Sequence, residues 1–456
     1  MSRFRLTLVH PCIGRRTGQA YIKSWQMEPL PPATIAGLTP PDVDVRFYDD
    51  RMEAIPYDEP TDLVAISVET YTARRAWQIA TEYRRRRVPV VMGGFHATLM
   101  PDEVARYAES VVVGEAERTW AEVLDDYRSG TPRKFYRATE RPALTGVRPD
   151  RRIFEGKRYL PVGLVEVGRG CHFKCEFCAV QTVYSRTQSR RGPSDVFADI
   201  QEARRQGRKL IFFVDDNITS NMDEAKAFFK ELKRYDIRWV SQSSINAAHD
   251  EEFLRTITDS GCKAVLIGFE SLNSKNLKSM GKSFNTMKGG FEVSLANLRR
   301  HHVRLYATFV FGYDEDTADS FEQTVDFAAR HRFYIAAFNH LTPFPGTPLY
   351  DRLKAEGRLR YDAWWLDPRY SYNTIPFQPR HMSPEELQAR CVDARRRFYS
   401  LGSMLRRGVD EVNRSDPFMF RNFYGINAML RAEVRGRDHY PLGDEAWQGS
   451  LLEATA

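Results

Sequence analysis

Short apolar runs of strand type alternate with amphipathic stretches of helical type along most of this chain. The first series has predicted strands at residues 6–10, 43–48, 63–68, 88–92 and 110–113. This alternation predicts a parallel sheet covered by helices, because parallel strands need a crossover element between them. We therefore expect an α/β, Rossmann-like, doubly wound sheet over residues 1–130, with any ligand at the carboxyl ends of its strands.

A second series has predicted strands at residues 162–167, 210–214, 239–241, 264–269, 305–311 and 336–340. These strand–helix units predict a partial (β/α)6 barrel over residues 161–357. Residues 131–160 are rich in Pro, Arg and Gly and are predicted to be a linker. Residues 358–456 are aromatic-rich at first and then mostly helical. Several domains are expected, because 456 residues exceed what one hydrophobic core normally supports.

Three cysteines, Cys171, Cys175 and Cys178, lie in one glycine-flanked loop after the first strand of the second series. Their spacing suits three corners of an iron–sulfur cluster and leaves the fourth iron open to a ligand. A zinc site would need a fourth ligand, usually from a second cysteine pair, and a disulfide framework would need more cysteines than these. The isolated cysteines are expected to be small buried residues: Cys12, Cys262 and Cys391.

This loop resembles the signature of the radical S-adenosylmethionine (SAM) superfamily. The resemblance implies a 4Fe–4S cluster on Cys171, Cys175 and Cys178, whose open iron binds SAM. Reductive cleavage of SAM would give a 5′-deoxyadenosyl radical that abstracts hydrogen from a small-molecule substrate. It also implies an external electron donor such as flavodoxin or ferredoxin.

The same resemblance assigns four further positions to SAM. Phe177 would lie beside the adenine; simple packing of the loop is the alternative role. Glu270 and Ser271, at the end of a predicted strand, would bind the ribose or amino group. Gly312 would belong to the strand that passes beside the adenine.

Acid–base groups are predicted at the ends of barrel strands. Asp215 and Asp216 follow one strand and His340 ends another, so we expect these side chains near the barrel mouth. Helix capping is the alternative role for Asp216.

Gly93 and Gly94 follow the fourth strand of the first series, in a Gly-Gly-x-His sequence. Together with a Gly-Glu-x-Glu sequence after the fifth strand, they resemble the cobalamin-binding-type domain that precedes many radical SAM barrels. Cobalamin is therefore a third expected cofactor. Two features weigh against it: no Asp-x-His-x-x-Gly motif surrounds His10, and bulky residues follow the third and fourth strands. These residues are Glu69, Thr70, Tyr71 and Phe95.

Two reactions compete at this stage. The size and arrangement are similar to those of radical SAM dehydratases that act on aminosugars in antibiotic biosynthesis without cobalamin, which favours a lyase that dehydrates or deoxygenates its substrate. The alternative is a cobalamin-dependent C-methyltransferase. A non-catalytic iron–sulfur protein is a third possibility, of another class.

The charge and hydropathy pattern gives no sign of nucleic acid or a membrane as a partner. The net charge of +7 is small for this length, and no interleaved aromatic and basic pattern indicates nucleic-acid binding. The sequence shows no apolar run long enough to cross a bilayer and no secretory leader. We therefore expect a cytoplasmic protein that binds neither membrane nor nucleic acid.

Overall fold

The computed structural model describes residues 3–19, 21–22, 26–286 and 289–453. Two six-stranded parallel sheets form its framework. The α/β class predicted from the sequence, with a Rossmann-like sheet, a partial barrel and a helical C-terminal region, is confirmed.

The first part of the chain contains the following elements, in order: β1 (Arg5–His10), β2 (Gly14–Arg15), α1 (Leu30–Leu38), β3 (Asp44–Asp49), β4 (Leu63–Ser67), α2 (Ala73–Arg85), β5 (Val90–Gly93), α3 (Phe95–Leu99), α4 (Pro101–Val104), β6 (Ser110–Val113), α5 (Trp120–Ser129) and β7 (Phe135–Arg137). The first sheet has the order β3-β1-β4-β5-β6-β7. Its central strands are apolar throughout because helices cover both faces; Leu63 and Val64 are both 0% exposed. The strand order reverses between β1 and β4, and the carboxyl edge there is where such sheets bind ligands.

The second part contains β8 (Val162–Val165), β9 (Gly168–Gly170), α6 (Ala179–Val183), β10 (Gln188–Arg190), α7 (Pro193–Arg205), β11 (Leu210–Phe213), α8 (Met222–Leu232), β12 (Trp239–Ser243), α9 (Glu251–Asp259), β13 (Cys262–Glu270), α10 (Ser274–Ser279), α11 (Gly290–Arg300), β14 (Arg304–Phe311), α12 (Ala318–Arg330), β15 (Ile335–His340) and α13 (Pro348–Ala355). The sheet has the order β8-β11-β12-β13-β14-β15. The described strands β8 and β15 lie at its two edges and do not pair, so the barrel is open. Alternate residues such as Phe309 and Phe311 pack under the outer helices, which leaves the intervening side chains for the interior.

The C-terminal region contains α14 (Pro384–Phe398), α15 (Leu401–Gly408), α16 (Glu411–Arg414), α17 (Pro417–Gly436) and β16 (Gly443–Asp444). Helix α14 begins after Ser383, whose side chain accepts a hydrogen bond from the backbone N–H of Glu386 at 3.0 Å. β16 pairs with β2, which ties the end of the chain to the N-terminal part. None of the described helices is both long enough and apolar enough to span a bilayer.

The aromatic residues that follow α13 are structural. Trp364 and Trp365 are 0% and 1% exposed and pack in one apolar group with Trp77 of α2. The indole N–H of Trp365 donates to Oε1 of Glu103 at 3.0 Å. This segment therefore joins the first sheet to the barrel.

Candidate functional site

The cysteine loop leaves the barrel through β8 and β9 and ends at α6. Two consecutive carboxylates hold the strand that leads into it. Oδ1 of Asp215 accepts a hydrogen bond from the N–H of Val167 at 2.8 Å, and Oδ2 of Asp216 accepts one from the N–H of Gly170 at 2.7 Å. Gly170 has φ +96°, and a Cβ there would lie 2.0 Å from the carbonyl oxygen of Thr187, so only glycine fits this approach.

The three thiols share this loop and influence one another. Cys175 is 8% exposed, and its pKa is raised to about 12, mainly by burial and in smaller part by the neighbouring Cys178 and Cys171, against the lowering effect of Lys282. Burial likewise raises the pKa of Cys178 to about 11. The side-chain amide of Asn217 donates to Sγ of Cys171 at 3.9 Å. Buried thiols of this kind become thiolates when a metal binds them.

The donor set fits an iron–sulfur cluster with an open corner. Among the described residues, no three Cys, His, Asp or Glu side chains converge tightly enough to hold a single metal ion. The loop instead supplies three thiols, the ligand type of iron–sulfur clusters, and Cys171, Cys175 and Cys178 are the residues that would hold one.

A buried ion pair lies beside this loop. Nζ of Lys282 lies 2.7 Å from Oε1 of Glu270, and the attraction of Glu270 is the main effect that raises the pKa of Lys282 against burial. Glu270 has φ +61°, a rare conformation for a residue with a side chain, at an irregularity in the pairing of β13 with β14. A Cβ on Gly268 would lie 2.2 Å from Oε1 of Glu270, so glycine makes room for this carboxylate.

The loop is anchored to the far side of the barrel by Glu176. Its carboxylate accepts hydrogen bonds from the hydroxyl of Tyr313 at 2.8 Å and from Nε of Arg352 at 2.5 Å. Its backbone N–H donates to the carbonyl of Met280 at 3.1 Å. Four elements therefore fix the loop: β14, α13, α10 and the strand end at Asp215.

The remaining predicted SAM positions lie around the same barrel edge. Phe177 is half-buried against the barrel core. The hydroxyl of Ser271 accepts a hydrogen bond from the N–H of Asn273 at 3.1 Å, which helps to start α10. Gly312 has φ +105°, and a Cβ there would lie 2.8 Å from Cδ2 of Leu387. Their roles toward SAM stay predictions.

The three predicted acid–base residues do not lie together. Asp216 borders a cavity between the two sheets, whereas Asp215 is 2% exposed against the backbone of Val167, and burial raises its pKa to about 7. His340 lies on the outer, core-facing side of β15. Burial lowers its pKa to about 4, and its Nδ1 lies 2.9 Å from the carbonyl oxygen of Leu341. Of these three residues, Asp216 alone is among the described residues that line this cavity.

This cavity measures about 340 Å³ and lies between the carboxyl edge of the first sheet and the barrel. Residues of β1, β4, β5 and β6 and their following loops form one wall, α1 a second, and the barrel side a third. The first wall has no side chains at three of its positions, which are glycines: Gly93, Gly94 and Gly114. Charged residues of the barrel side line the other end: Glu166, Arg169, Arg191 and Asp216.

The bulky residues predicted to fill this edge divide into two groups. Tyr71 turns away and packs its ring 5.0 Å from Trp364 and 5.1 Å from Tyr372. Thr70 is buried beside Nδ1 of His96, at 3.3 Å. Only Glu69 and Phe95 border the cavity. The expectation that these side chains close the site to a plate-shaped cofactor is therefore wrong for Thr70 and Tyr71, because they turn toward protein.

Two histidines lie near the first sheet, but neither lines the cavity. His10 is half-buried at the end of β1, and desolvation lowers its pKa to about 4. His96 is 0% exposed and lies between Thr70 and Glu103. The cavity thus fits a corrinoid in position and in its small-residue floor, with no histidine among its described lining residues.

Sequence reasoning missed Lys282, Asn217 and Glu176. Asn217 and Lys282 lie far from the cysteines in sequence, and only the packing of the barrel loops brings them to the thiols. Glu176 lies between Cys175 and Cys178, but the cysteine spacing does not predict its contacts with Tyr313 and Arg352. The Met280-Gly281 pair before Lys282 is the one local signal: Gly281 has φ +76°, and a Cβ there would lie 2.5 Å from the carbonyl oxygen of Lys174.

Comparison with known proteins agrees with this architecture. The radical SAM superfamily model matches residues 165–328, and the B12 binding domain model matches residues 34–124. The bacteriochlorophyllide d C-12(1)-methyltransferase of Chlorobaculum tepidum is 31% identical over 390 residues, which cover 83% of this chain and 84% of that protein. The C-8(2)-methyltransferase of the same organism is 27% identical over 349 residues, covering 72% and 77%.

A solved structure shows the same fold. The radical SAM methyltransferase TsrM of Kitasatospora setae, with cobalamin and a 4Fe–4S cluster bound, superimposes with a TM-score of 0.63 at 17% identity and covers 96% of this chain and 100% of that one. The order of the two domains, the cysteine loop and the relative at 31% identity lead to one conclusion. This chain belongs to the radical SAM superfamily, among the members that carry a B12-binding domain before the radical SAM domain.

Proposed function

We propose that this protein is a cobalamin-dependent radical SAM C-methyltransferase that acts on a small molecule. The observation that carries the proposal is the cavity of about 340 Å³ between the B12-binding domain and the barrel, which the side chains of Thr70 and Tyr71 leave open. The relatives described above are named as methyltransferases. The dehydration predicted first from the sequence has no such support.

The two cofactors would bind at two separate places near the barrel mouth. Cys171, Cys175 and Cys178 would hold the iron–sulfur cluster, and the cavity walls would hold the corrinoid. In this arrangement the cluster supplies electrons for SAM cleavage and the corrinoid carries the methyl group. Asp216 would connect the two sites, since it borders the cavity and holds the N–H of Gly170 at the start of the cysteine loop.

The open barrel suits a large substrate. Two of the relatives are named for methylation of bacteriochlorophyllide d, so a tetrapyrrole macrocycle is the first substrate to test. Glu270 and Lys282 lie at the cysteine side of this barrel and would orient the polar groups of SAM.

The test uses anaerobically reconstituted full-length protein supplied with hydroxocobalamin, a reductant and SAM labelled in its methyl group. We expect about one corrinoid per chain after desalting and label in the product. Cys175→Ala should abolish SAM cleavage, whereas Cys391→Ala, which removes a buried thiol outside the loop, should retain it. Unlabelled, dehydrated product from a corrinoid-free enzyme would contradict the proposal.

A further inference from the structure

A second cavity, of about 250 Å³, lies beside β15, and we call it the edge pocket. Residues of β14 and β15 form its floor. The C-terminal ends of α14 and α17 and the segment at Tyr372 and Asn373 form its walls. Because β15 is an edge strand of the barrel sheet, the edge pocket lies where the described barrel is open.

The floor of the edge pocket continues into the barrel interior. Ala337 and Asn339 alternate along β15 with the buried Phe338, so their side chains face inward. Asn339 is opposite Val310 in the register of β14 and β15. Gly312 follows Val310 by two residues, about 7 Å along the strand direction. A ligand in the edge pocket can therefore extend along this inner wall toward the position predicted for SAM.

Two arginines of the described chain line the edge pocket, and their surroundings differ. A guanidinium nitrogen of Arg437 lies 2.9 Å from Oε2 of Glu433. Arg395 forms no ion pair with any described residue, and only its Nε donates within that part of the chain, to the carbonyl oxygen of Cys391 at 3.1 Å. The described lining thus carries one positive charge that no acid offsets.

The fold holds Arg395 at this place. One turn later, the hydroxyl of Tyr399 donates to the carbonyl oxygen of Ala336 at 2.8 Å and accepts from its N–H at 3.3 Å, which fixes the end of α14 to β15. Arg396 and Arg397 are exposed in the same turn and already offset the helix dipole. Arg395 is half-buried, and burial of a charge without a partner is costly. An anionic ligand would offset this cost.

The lining of the edge pocket suits an acid with an apolar body. Ile335, Leu430 and Val434 are apolar, whereas Asn339 and Arg395 offer hydrogen-bond donors. A guanidinium group binds a carboxylate through two parallel N–H groups. The volume of about 250 Å³ suits one arm of a large substrate, with the remainder in the open barrel.

We propose that the edge pocket binds a carboxylate of the methyl-transfer substrate through the guanidinium of Arg395 and the side-chain amide of Asn339. The substrate is then a carboxylic acid whose apolar body extends along the inner face of β15 to the barrel mouth. This inference rests on the proposed function, because it names the chemical class of substrate for that reaction. Arg395 is a binding residue and takes no part in the chemistry.

The experiment uses full-length protein reconstituted anaerobically with its cluster and hydroxocobalamin. The probes are bacteriochlorophyllide d, which is a carboxylic acid, and its methyl ester; quenching of the pigment fluorescence gives the Kd of each. The wild type is compared with Arg395→Gln, Arg395→Lys and Arg396→Gln. Arg396 is an exposed neighbour outside the edge pocket, so its variant controls for the loss of one positive charge. The corrinoid bound per chain is measured on the same samples.

We expect the wild type to bind the acid about tenfold more tightly than the ester, the difference that hydrogen bonds to a charged group supply. Arg395→Gln should raise the Kd of the acid about tenfold and leave that of the ester unchanged, so that the preference is lost. Arg395→Lys keeps the charge and should retain part of the preference. Arg396→Gln should match the wild type with both probes.

Equal Kd values of the wild type for acid and ester would overturn the inference, and this comparison needs no variant. An equal loss of both probes in Arg395→Gln would also overturn it, because a structural role weakens both alike. If the wild type binds neither probe, the inference fails as well. Corrinoid retention decides the proposed function separately: a protein that keeps about one corrinoid per chain but fails the pigment test leaves that function standing.

Discussion

The ammonium group of Lys282 lies 2.7 Å from Oε1 of Glu270, and this ion pair is buried beside the cysteine loop. Lys282 also donates to the carbonyl oxygen of Gly268 at 3.2 Å. The pair thus connects β13 to the segment that follows α10. Buried pairs of this kind are costly to break, because the remaining charge has no partner.

Removal of the cation should therefore destabilise the protein. We expect Lys282→Met to lower the free energy of unfolding by about 3 kcal/mol, since Glu270 is left buried and unpaired. It should also lower the iron bound per chain, because Lys282 is the cation that lowers the pKa of Cys175. Denaturant titration and iron analysis measure these effects. Lys278→Met, at an exposed position of α10, should change neither; equal effects from both variants would contradict the prediction.

We expect any side chain at Gly94, the glycine that follows β5, to destabilise the protein. Gly94 has φ 102° and ψ −173°, a region populated almost only by glycine, and a Cβ there would lie 2.9 Å from the carbonyl oxygen of Val68. We expect Gly94→Ala to lower the free energy of unfolding by about 1–3 kcal/mol and to weaken corrinoid retention. The matched change Gly402→Ala, in α15 with open space around it, should stabilise by about 0.5–1 kcal/mol. Thermal unfolding of both variants checks the contrast.

Glu69 should make stability depend on pH in the corrinoid-free protein. Its pKa is raised from 4.5 to about 7, so the folded state keeps a proton that the unfolded state has lost between these values. Stability from this group is therefore full below about pH 4.5 and is lost as the pH rises through about 7. Glu69→Gln should match the wild-type Tm at low pH and exceed it above pH 7. A constant difference across this range would contradict the predicted protonation.

His340 should be dispensable for SAM cleavage. The sequence predicts an acid–base role for it, but its side chain lies on the core-facing side of β15 with a pKa lowered to about 4. We expect His340→Asn to lower the Tm and to leave the rate of 5′-deoxyadenosine formation per folded, iron-loaded chain unchanged. A rate reduced a hundredfold at full iron content would restore the catalytic role.

Local patterns in the sequence suffice for the fold class and for the cysteine loop. The apolar runs in the sequence predict the strands of both sheets. A strand such as the one containing Val64 is apolar along its length because helices cover both faces of its sheet. The spacing of Cys171, Cys175 and Cys178 indicates an iron–sulfur cluster because all three ligands come from one short segment. Gly94 is recognisable for the same reason: its conformation is a property of its own backbone.

Side-chain direction was decided only by the tertiary structure. Asp215 and Asp216 are neighbours in sequence, yet Asp215 is buried against the backbone of Val167 while Asp216 borders the cavity. Tyr71 and Glu69 likewise diverge: aromatic rings of the C-terminal region pack against Tyr71, whereas the exposed side chain of Glu69 borders the cavity. A motif shows what one segment can do, whereas the cavity and the Lys282–Glu270 pair arise from segments that meet only when the chain folds.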